Sequence, residues 1–442
     1  MQAPFPLDTK QVTKNHWLAV LNGMFIELGM TLANPGMVLP VLVRQLGGSN
    51  ALIGLLPTIR FGGWFLPQFV IGQWVQSRRR KVPIVVAIDL IRIALYAAIG
   101  AILFTLGARM PALALTLVLL LFTITRFSAG SAAVARMDLY GALVPRHKRA
   151  ALIASKGFWG GLAGFGAGFA VGYVLNEQHI PFPQNFALLF TVAAGCFATA
   201  SFLMSRTREP PRDTTPSDSN LKQLLKRAGV LLKRDAQYRR YIMMRVLIGM
   251  IRIAGPFYII YAIDVLHAPA SIAGAYLSML TFARILSTPL WSRVLDRRGH
   301  KFVLQFASVL LASSTLLAVL IPALIRPLAL PDTVTGIAFG LVLIVQGLAS
   351  GGHNVSLLPT LYEIAPAKER ASYIGLLNTI LGPTSFVSTL SGALIDRVGF
   401  SPMFLTAGAL VMGGFLIGCG LQIERNPSKA AQSTPRTGRP AP

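Results

Sequence analysis

Glu27, Arg60, Arg126, Arg252 and Arg284 are the side chains of this 442-residue sequence best placed to do chemistry. Each lies roughly 15 to 22 Å, at about 1.5 Å per helical residue, from the end of a long apolar stretch. An ionised group facing lipid at that depth costs about 2.5 to 3.5 kcal/mol even on lenient insertion scales, or roughly 12 to 18 kcal/mol for all five. They are therefore expected to face a protein interior. Polar neighbours at helical spacing agree. Gly23, Glu27, Thr31 and Asn34 share one face, as do Arg245, Gly249, Arg252 and Pro256; Gln346, Ser350 and His353; and Gly375, Asn378, Gly382 and Ser385. Four guanidinium groups against one carboxylate make such an interior positive, suited to an anionic or zwitterionic solute held by bidentate contacts. The structural alternative is internal salt bridging, with Glu27 satisfying one arginine and helix carbonyls or water the rest. Glu27, the one acid near mid-membrane, is the candidate for proton coupling, because desolvation and an arginine neighbour pull a carboxyl in opposite directions. A permanently paired structural glutamate is the competing reading.

Other chemistries find little support. The six histidines (His16, His147, His179, His267, His300, His353) lack metal-ligand spacing, and no phosphate-binding glycine loop or cofactor motif occurs. Cys196 and Cys419 sit within apolar stretches as small packing residues and form no disulfide framework. His353 reads as a packing histidine, and Asp89 with Arg92, spaced i, i+3, as a local pair. Neither an enzyme nor a cofactor is expected.

The elements that must position the five charges are membrane spans. With 53% hydrophobic and 13% charged residues and a mean hydropathy of +0.59, most of the chain cannot form a solvated surface. Apolar windows place spans near 17–43, 51–75, 82–107, 111–136, 152–175, 186–204, 241–266, 270–295, 302–325, 333–358, 372–395 and 403–422. The first is too long for a signal-peptide core and is read as a retained helix. About 30 of the 41 Lys and Arg residues fall on the side holding both termini, whereas Arg44, Arg109, Arg326 and Arg397 fall on the other. Both termini are thus expected in the cytoplasm. The formal charge of +25 is explained by topology, so nucleic acid is not an expected partner. The segment 205–240 opens with prolines and becomes amphipathic, with Leu221, Leu224, Leu225 and Leu231 among Lys222, Lys226, Arg227 and Lys233. It reads as a helix lying on an anionic leaflet or as a solvated linker helix.

The halves superpose at a nearly constant offset of about 220 residues, as expected for a parallel repeat. Leu46 matches Leu266, Gly54 matches Gly274, Lys81 matches Lys301 and Gly172 matches Gly392; one residue further on, Pro145, Arg149 and Ala150 match Pro366, Arg370 and Ala371. The loop Gly72-Gln-Trp-Val-Gln76-Ser-Arg78-Arg79-Arg80-Lys81, its repeat Ser292 to Lys301 with Asp296, Arg297 and Gly299, and Arg126-Phe-Ser-Ala-Gly130 in the fourth span carry a family signature. In these residues the chain resembles the major facilitator superfamily. Gln76 stands where that family has an acid and Arg79 where it has a glycine, and the glycine-rich fifth span lacks the Gly-Pro pair associated with antiporters. The resemblance implies a cavity lined by spans one, four, seven and ten, helped by two, five, eight and eleven. Physically, a glycine lets helix ends approach and basic residues pair with carboxylates, so Gly72, Arg78, Arg80, Asp138, Asp296, Arg297 and Gly299 are candidate gating residues, with Asp138 a partner for Arg78 to Lys81.

The sequence thus predicts an all-α polytopic membrane protein with twelve transmembrane helices in two parallel-repeat six-helix bundles, 1–204 and 241–422, joined by the linker 205–240 and followed by a tail, 423–442. The expected function is secondary active transport of a small organic anion or zwitterion by alternating access. Glu27, Asn34, Arg60, Arg126, Arg252, Arg284, Gln346 and Asn378 are the substrate or coupling residues, protons and membrane lipids the other partners, and a monomer in an inner or plasma membrane the expected form. A lipid flippase or drug exporter on the same fold is the nearest alternative. A non-transporting sensor or scaffold is the alternative from another class.

Overall fold

The computed structural model describes residues 7–76, 78–210, 232, 234–328, 331–366 and 369–422. Most of the amphipathic pattern expected over 221–234 and all of the tail 423–442 lie outside the described residues. Regular structure among the described residues is helical, in twelve spans. Seven are apolar enough by composition alone to cross a membrane. Of the other five, four carry Glu27, Arg60, Lys156 or Arg284, and one is broken at Gly382 and Pro383. The molecule is thus an integral multi-pass membrane protein.

Three spans are interrupted rather than continuous. Span one runs as Thr9–Leu32 and Val38–Gln45. Between them the Asn34 side-chain oxygen accepts the backbone N–H of Gly36 at 2.8 Å and of Met37 at 3.1 Å, replacing helix bonds beside Pro35. Span seven runs as Ala236–Gly249, a tight turn Met250–Ile253, then Phe257–Asp264 after Pro256, whose ring and missing N–H cannot continue a helix. Span eleven runs as Arg370–Leu381, a turn Pro383–Phe386, and Val387–Val398. Pro35 and Pro256 fall at matching positions of the repeat, so the first span of each half breaks at the same level. The single unbroken helix expected over 17–43 is thereby corrected: the asparagine and proline outcompete the helix locally.

Spans one to six pack on one another, as do seven to twelve, and the halves meet along three seams: span two on eleven, span five on eight, and the last turns of span one on span seven. The first two seams are related by the repeat. In one, Gly54 lies against the backbone of Ser388 and Gly392 against that of Asn50; in the other, Gly274 lies against Gly172. A Cβ at Gly54 or Gly274 has no room, so these glycines let two backbones approach as in small-residue packing of membrane helices.

Burial shows where the halves are joined. At the end away from the termini, one apolar cluster runs through both, taking in Leu42, Ile53 and Phe190 from the first half and Tyr258, Phe339 and Phe404 from the second. At the terminal end each half has its own cluster. Val20, Leu139 and Leu152 belong to one, and Tyr241, Leu361 and Leu377 to the other. The far side is therefore a shared core, while the terminal side is two separate ones.

Candidate functional site

Above the shared core lies a cavity of about 520 Å³, within the size range of small-molecule sites. Its wall is built from spans one, two, seven, eight, nine and ten, and the breaks supply Asn34, Pro35 and Gly36 on one side and Gly255 and Pro256 on the other. Glu27, Asn34, Arg60, Arg252, Arg284 and Gln346 all line it. Arg126 and Asn378 do not. Arg126 is 5% exposed, with Nη1 3.9 Å from Met30 Sδ and its backbone against Gly63. Span four packs on span two there, with Gly130 against the carbonyl of Trp64, and the Arg126 guanidinium lies against Met30, itself a wall residue. Asn378 lies just below the break in span eleven, where its carbonyl accepts the Gly382 N–H at 2.9 Å. Spans four, five and eleven, expected on the wall, contribute none of its described residues, whereas span nine, not expected there, contributes Leu311.

The charges are not equivalent. Glu27 Oε1 lies 3.4 Å from Arg284 Nη2, an ion pair between span one and span eight and hence between the halves. Room for the Glu27 side chain comes from Gly160 and Gly164 of span five, whose added Cβ would meet it at 3.4 and 3.6 Å. Arg252 has a different environment. Its Nη1 donates to Thr384 Oγ1 at 2.9 Å, and its guanidinium stacks on the Phe61 ring at 4.5 Å. Arg60 sits 5.5 Å from the same ring. Phe61 thus has two cations within cation–π reach of its ring and attracts both through its negative π cloud. Neither arginine forms an ion pair with a carboxylate among the described residues, in contrast to Arg284. The sequence had no signal for Phe61, an apolar residue in an apolar helix.

His353 is buried and its Nε2 lies 3.2 Å from Ser308 Oγ, within the second half. Asp89 is a buried charge shared by two arginines: Arg136 Nη2 reaches both carboxylate oxygens at 2.7 and 2.8 Å, and Arg92 reaches one at 3.2 Å. The local pair read from spacing is thus a cluster joining spans three and four. Satisfying a buried carboxylate bidentately offsets its desolvation.

At the terminal side, Asp138 pairs with Lys81, the last residue of the basic run. Glu209 Oε2 accepts the backbone N–H groups of Lys81 and Val82 at 2.6 and 2.9 Å, capping span three. Arg78 and Arg80 are exposed, and Gly72 lies within the helix Asn50–Gln76, where its surroundings are outside the description. In the repeat loop Gly299 ends span eight at φ +83°, a conformation only glycine adopts freely. Asp296 is exposed and Arg298 stacks on Phe302 at 4.8 Å.

A second charged network closes the far side. Arg44 Nη2 bonds Asn50 Oδ1 at 2.5 Å and pairs with Asp264 at 2.8 Å, and Asn50 Nδ2 donates to Asp396 Oδ1 at 2.5 Å. One guanidinium and one amide of the first half thus hold two carboxylates of the second. Just beneath, Thr58 Oγ1 donates to the Ser385 carbonyl at 2.7 Å. The signal for this network was present in Asp396-Arg397-Val398-Gly399, which echoes Asp296-Arg297-Arg298-Gly299. Gly399 ends its helix with the same geometry, φ +82°.

Two six-span halves, related by a repeat and enclosing a polar cavity, define a membrane transporter. The sequence profile of the Major Facilitator Superfamily matches residues 19–388 and, in a second match, 241–442, and the chain belongs to that family. Similar solved structures include the nucleoside transporter NupG, at 13% identity and TM-score 0.69 over 93% of this chain and 99% of that one. The inward-open xylose transporter XylE from E. coli is similar at 13% identity and TM-score 0.68 over 94% and 97%. A peptide transporter POT in complex with sulfate is similar at 15% identity and TM-score 0.66 over 95% and 96%. At these identities the likeness shows the fold. No curated protein sequence matches the chain.

Proposed function

We propose that this transporter carries a small anionic or zwitterionic organic solute across the membrane by alternating access, with proton coupling at Glu27. The observation that carries the reading is the cavity itself: Arg60, Arg252 and Arg284 line one chamber with a single carboxylate facing them. One acid is paired to Arg284, so two guanidinium groups retain fixed charge for a ligand. Arg252, stacked on Phe61 and donating to Thr384, is held in a defined orientation, which favours planar bidentate contact with a carboxylate or phosphate. Glu27 and Arg284 come from opposite halves, so proton uptake on Glu27 weakens a contact that holds the halves in register. Binding of the proton and movement of the halves are thereby linked.

The lysine and arginine excess supports a cytoplasmic terminal side. With the shared core and the Arg44 network on the far side, the conformation is then closed outward and its two terminal cores are separated inward. The test is uptake into proteoliposomes under an imposed pH gradient. Glu27→Gln is expected to abolish the gradient's effect while leaving melting temperature and downhill exchange in place. Uptake by Glu27→Gln that still follows the pH gradient contradicts proton coupling at this residue.

A further inference from the structure

A second cavity, of about 600 Å³, shares no wall residue with the first. It lies on the second half between the terminal parts of span eight (Ile272–Arg298) and span nine (His300–Ile325), with Leu348 of span ten behind it. Leu290 and Phe306 on its sides are 53% and 47% exposed, so the groove opens laterally. Trp291 is fixed at its base, donating from Nε1 to the Leu348 carbonyl at 2.9 Å and packing on the Phe306 ring at 5.7 Å. From Ser287 to Arg298 the groove runs about 16 Å along span eight at 1.5 Å per residue, which matches the roughly 15 Å hydrocarbon depth of one leaflet. Its apolar length ends at Arg297 and Arg298, side by side at the terminal end.

An apolar slot one leaflet deep with a pair of arginines at the membrane surface has the polarity of a phospholipid: acyl chain below, phosphate above. We infer that this groove binds one anionic phospholipid, its acyl chain along Leu290, Trp291 and Phe306 and its phosphate at Arg297 and Arg298. Arginines here favour an anionic headgroup over a zwitterionic one, because a net negative charge meets two fixed positive charges at the interface. The assignment is separate from the solute cavity and rests only on the terminal side being the leaflet that carries anionic lipid. A lipid lodged between spans eight and nine bears on span eight, which also carries Arg284 and the seam with span five, so its occupancy is placed to bias the equilibrium between conformations.

Native mass spectrometry of the full chain in detergent, with phosphatidylglycerol and phosphatidylcholine supplied together, tests this without reference to orientation. The expected spectrum is a monomer retaining one phosphatidylglycerol. The double substitution Arg297→Gln with Arg298→Gln should lower that occupancy about 30-fold, the effect of two basic residues at an anionic surface, and leave phosphatidylcholine unchanged. Val294→Trp, which fills the slot, should lower both lipids. Equal retention of the two lipids by the parent, or undiminished phosphatidylglycerol in both variants, overturns the inference. So does a dimer mass that excludes lipid, because the groove then belongs to a second copy. Displacement of the lipid adduct by inorganic phosphate overturns it too, since the arginines then select a free anion.

Discussion

Arg252 and Arg284 look alike in sequence, each a lone arginine about midway through a span, and the structure gives them different work. Arg284 is the counter-ion of Glu27, whereas Arg252 is braced by an aromatic ring and a threonine with no carboxylate at hand. Removing the first leaves a carboxylate unpaired; removing the second takes a charge from the ligand chamber. Arg252→Lys keeps the charge but loses the planar fork and the stacking on Phe61. It is expected to weaken binding of an anionic ligand by about 1.5 to 3 kcal/mol, the scale of a charged hydrogen bond, with little change in melting temperature. Isothermal titration on both proteins measures it, and equal affinities show that Arg252 does not touch the ligand. Depth and residue type were enough to locate six of the eight candidate wall residues. They were insufficient for Arg126, because nothing in the sequence says that its guanidinium packs against Met30 rather than facing the chamber. Phe61 was invisible for the opposite reason: a phenylalanine in a membrane helix carries no mark until the two cations beside its ring are placed.

At the scale of elements, two devices organise the molecule, and they were unequally legible. Breaks in spans one and seven are written locally in Asn34-Pro35-Gly36 and Gly255-Pro256, and their agreement across the repeat is a sequence fact, although the length of the apolar run at 17–43 argued for one helix. The seams are different. Gly54, Gly172, Gly274 and Gly392 stood out as repeat matches, but that they pack across the halves is a long-range pairing that no local pattern encodes. Because Gly54 faces the Ser388 backbone rather than a flexible side chain, the pressure of a larger residue there cannot be relieved by a rotamer change. Gly54→Val is expected to force span two from span eleven and favour opening of the end away from the termini. Labelling of a cysteine introduced at Leu52 by an impermeant maleimide reads this from outside. A higher rate than in the parent background is expected, and an equal rate shows that the seam yields without opening.

Viewed as a whole, the molecule is closed at one end by a shared apolar core with a charged clasp on top, and divided at the other. Alternation between two states needs each closed end to be held by contacts of modest and reversible strength. The far clasp fits that need: its charged members Arg44, Asp264 and Asp396 are partly or largely exposed, joined through the buried amide of Asn50, unlike the buried cluster of Asp89 with Arg92 and Arg136. Asp396→Asn is expected to shift the population toward a state open at the clasp end with intrinsic ligand affinity conserved, seen as a change in distance between spin labels on spans two and eleven. An unchanged distribution removes the clasp from the gate. Asp296, in the matching loop at the other end, is the corresponding candidate for holding the outward-open state. Architecture at this scale was the most legible of all, since hydropathy, basic-residue asymmetry and a repeat of constant offset are properties of the entire chain. Which end is closed was not, because both conformations are made by one sequence.

Selection of negative charge by the central chamber, through Arg252 and its neighbours, is what most directly needs measuring. Thermal unfolding of the purified protein against compounds matched in size, in anionic, zwitterionic, neutral and cationic sets, measures that directly. A ligand at 100 times its dissociation constant adds about 2.7 kcal/mol. Stabilisation is predicted for members of the anionic or zwitterionic sets, and it should be lost in Arg252→Ala while the unliganded melting temperature is kept. Stabilisation confined to neutral or cationic compounds, or equal in parent and Arg252→Ala, contradicts anion selection by the chamber.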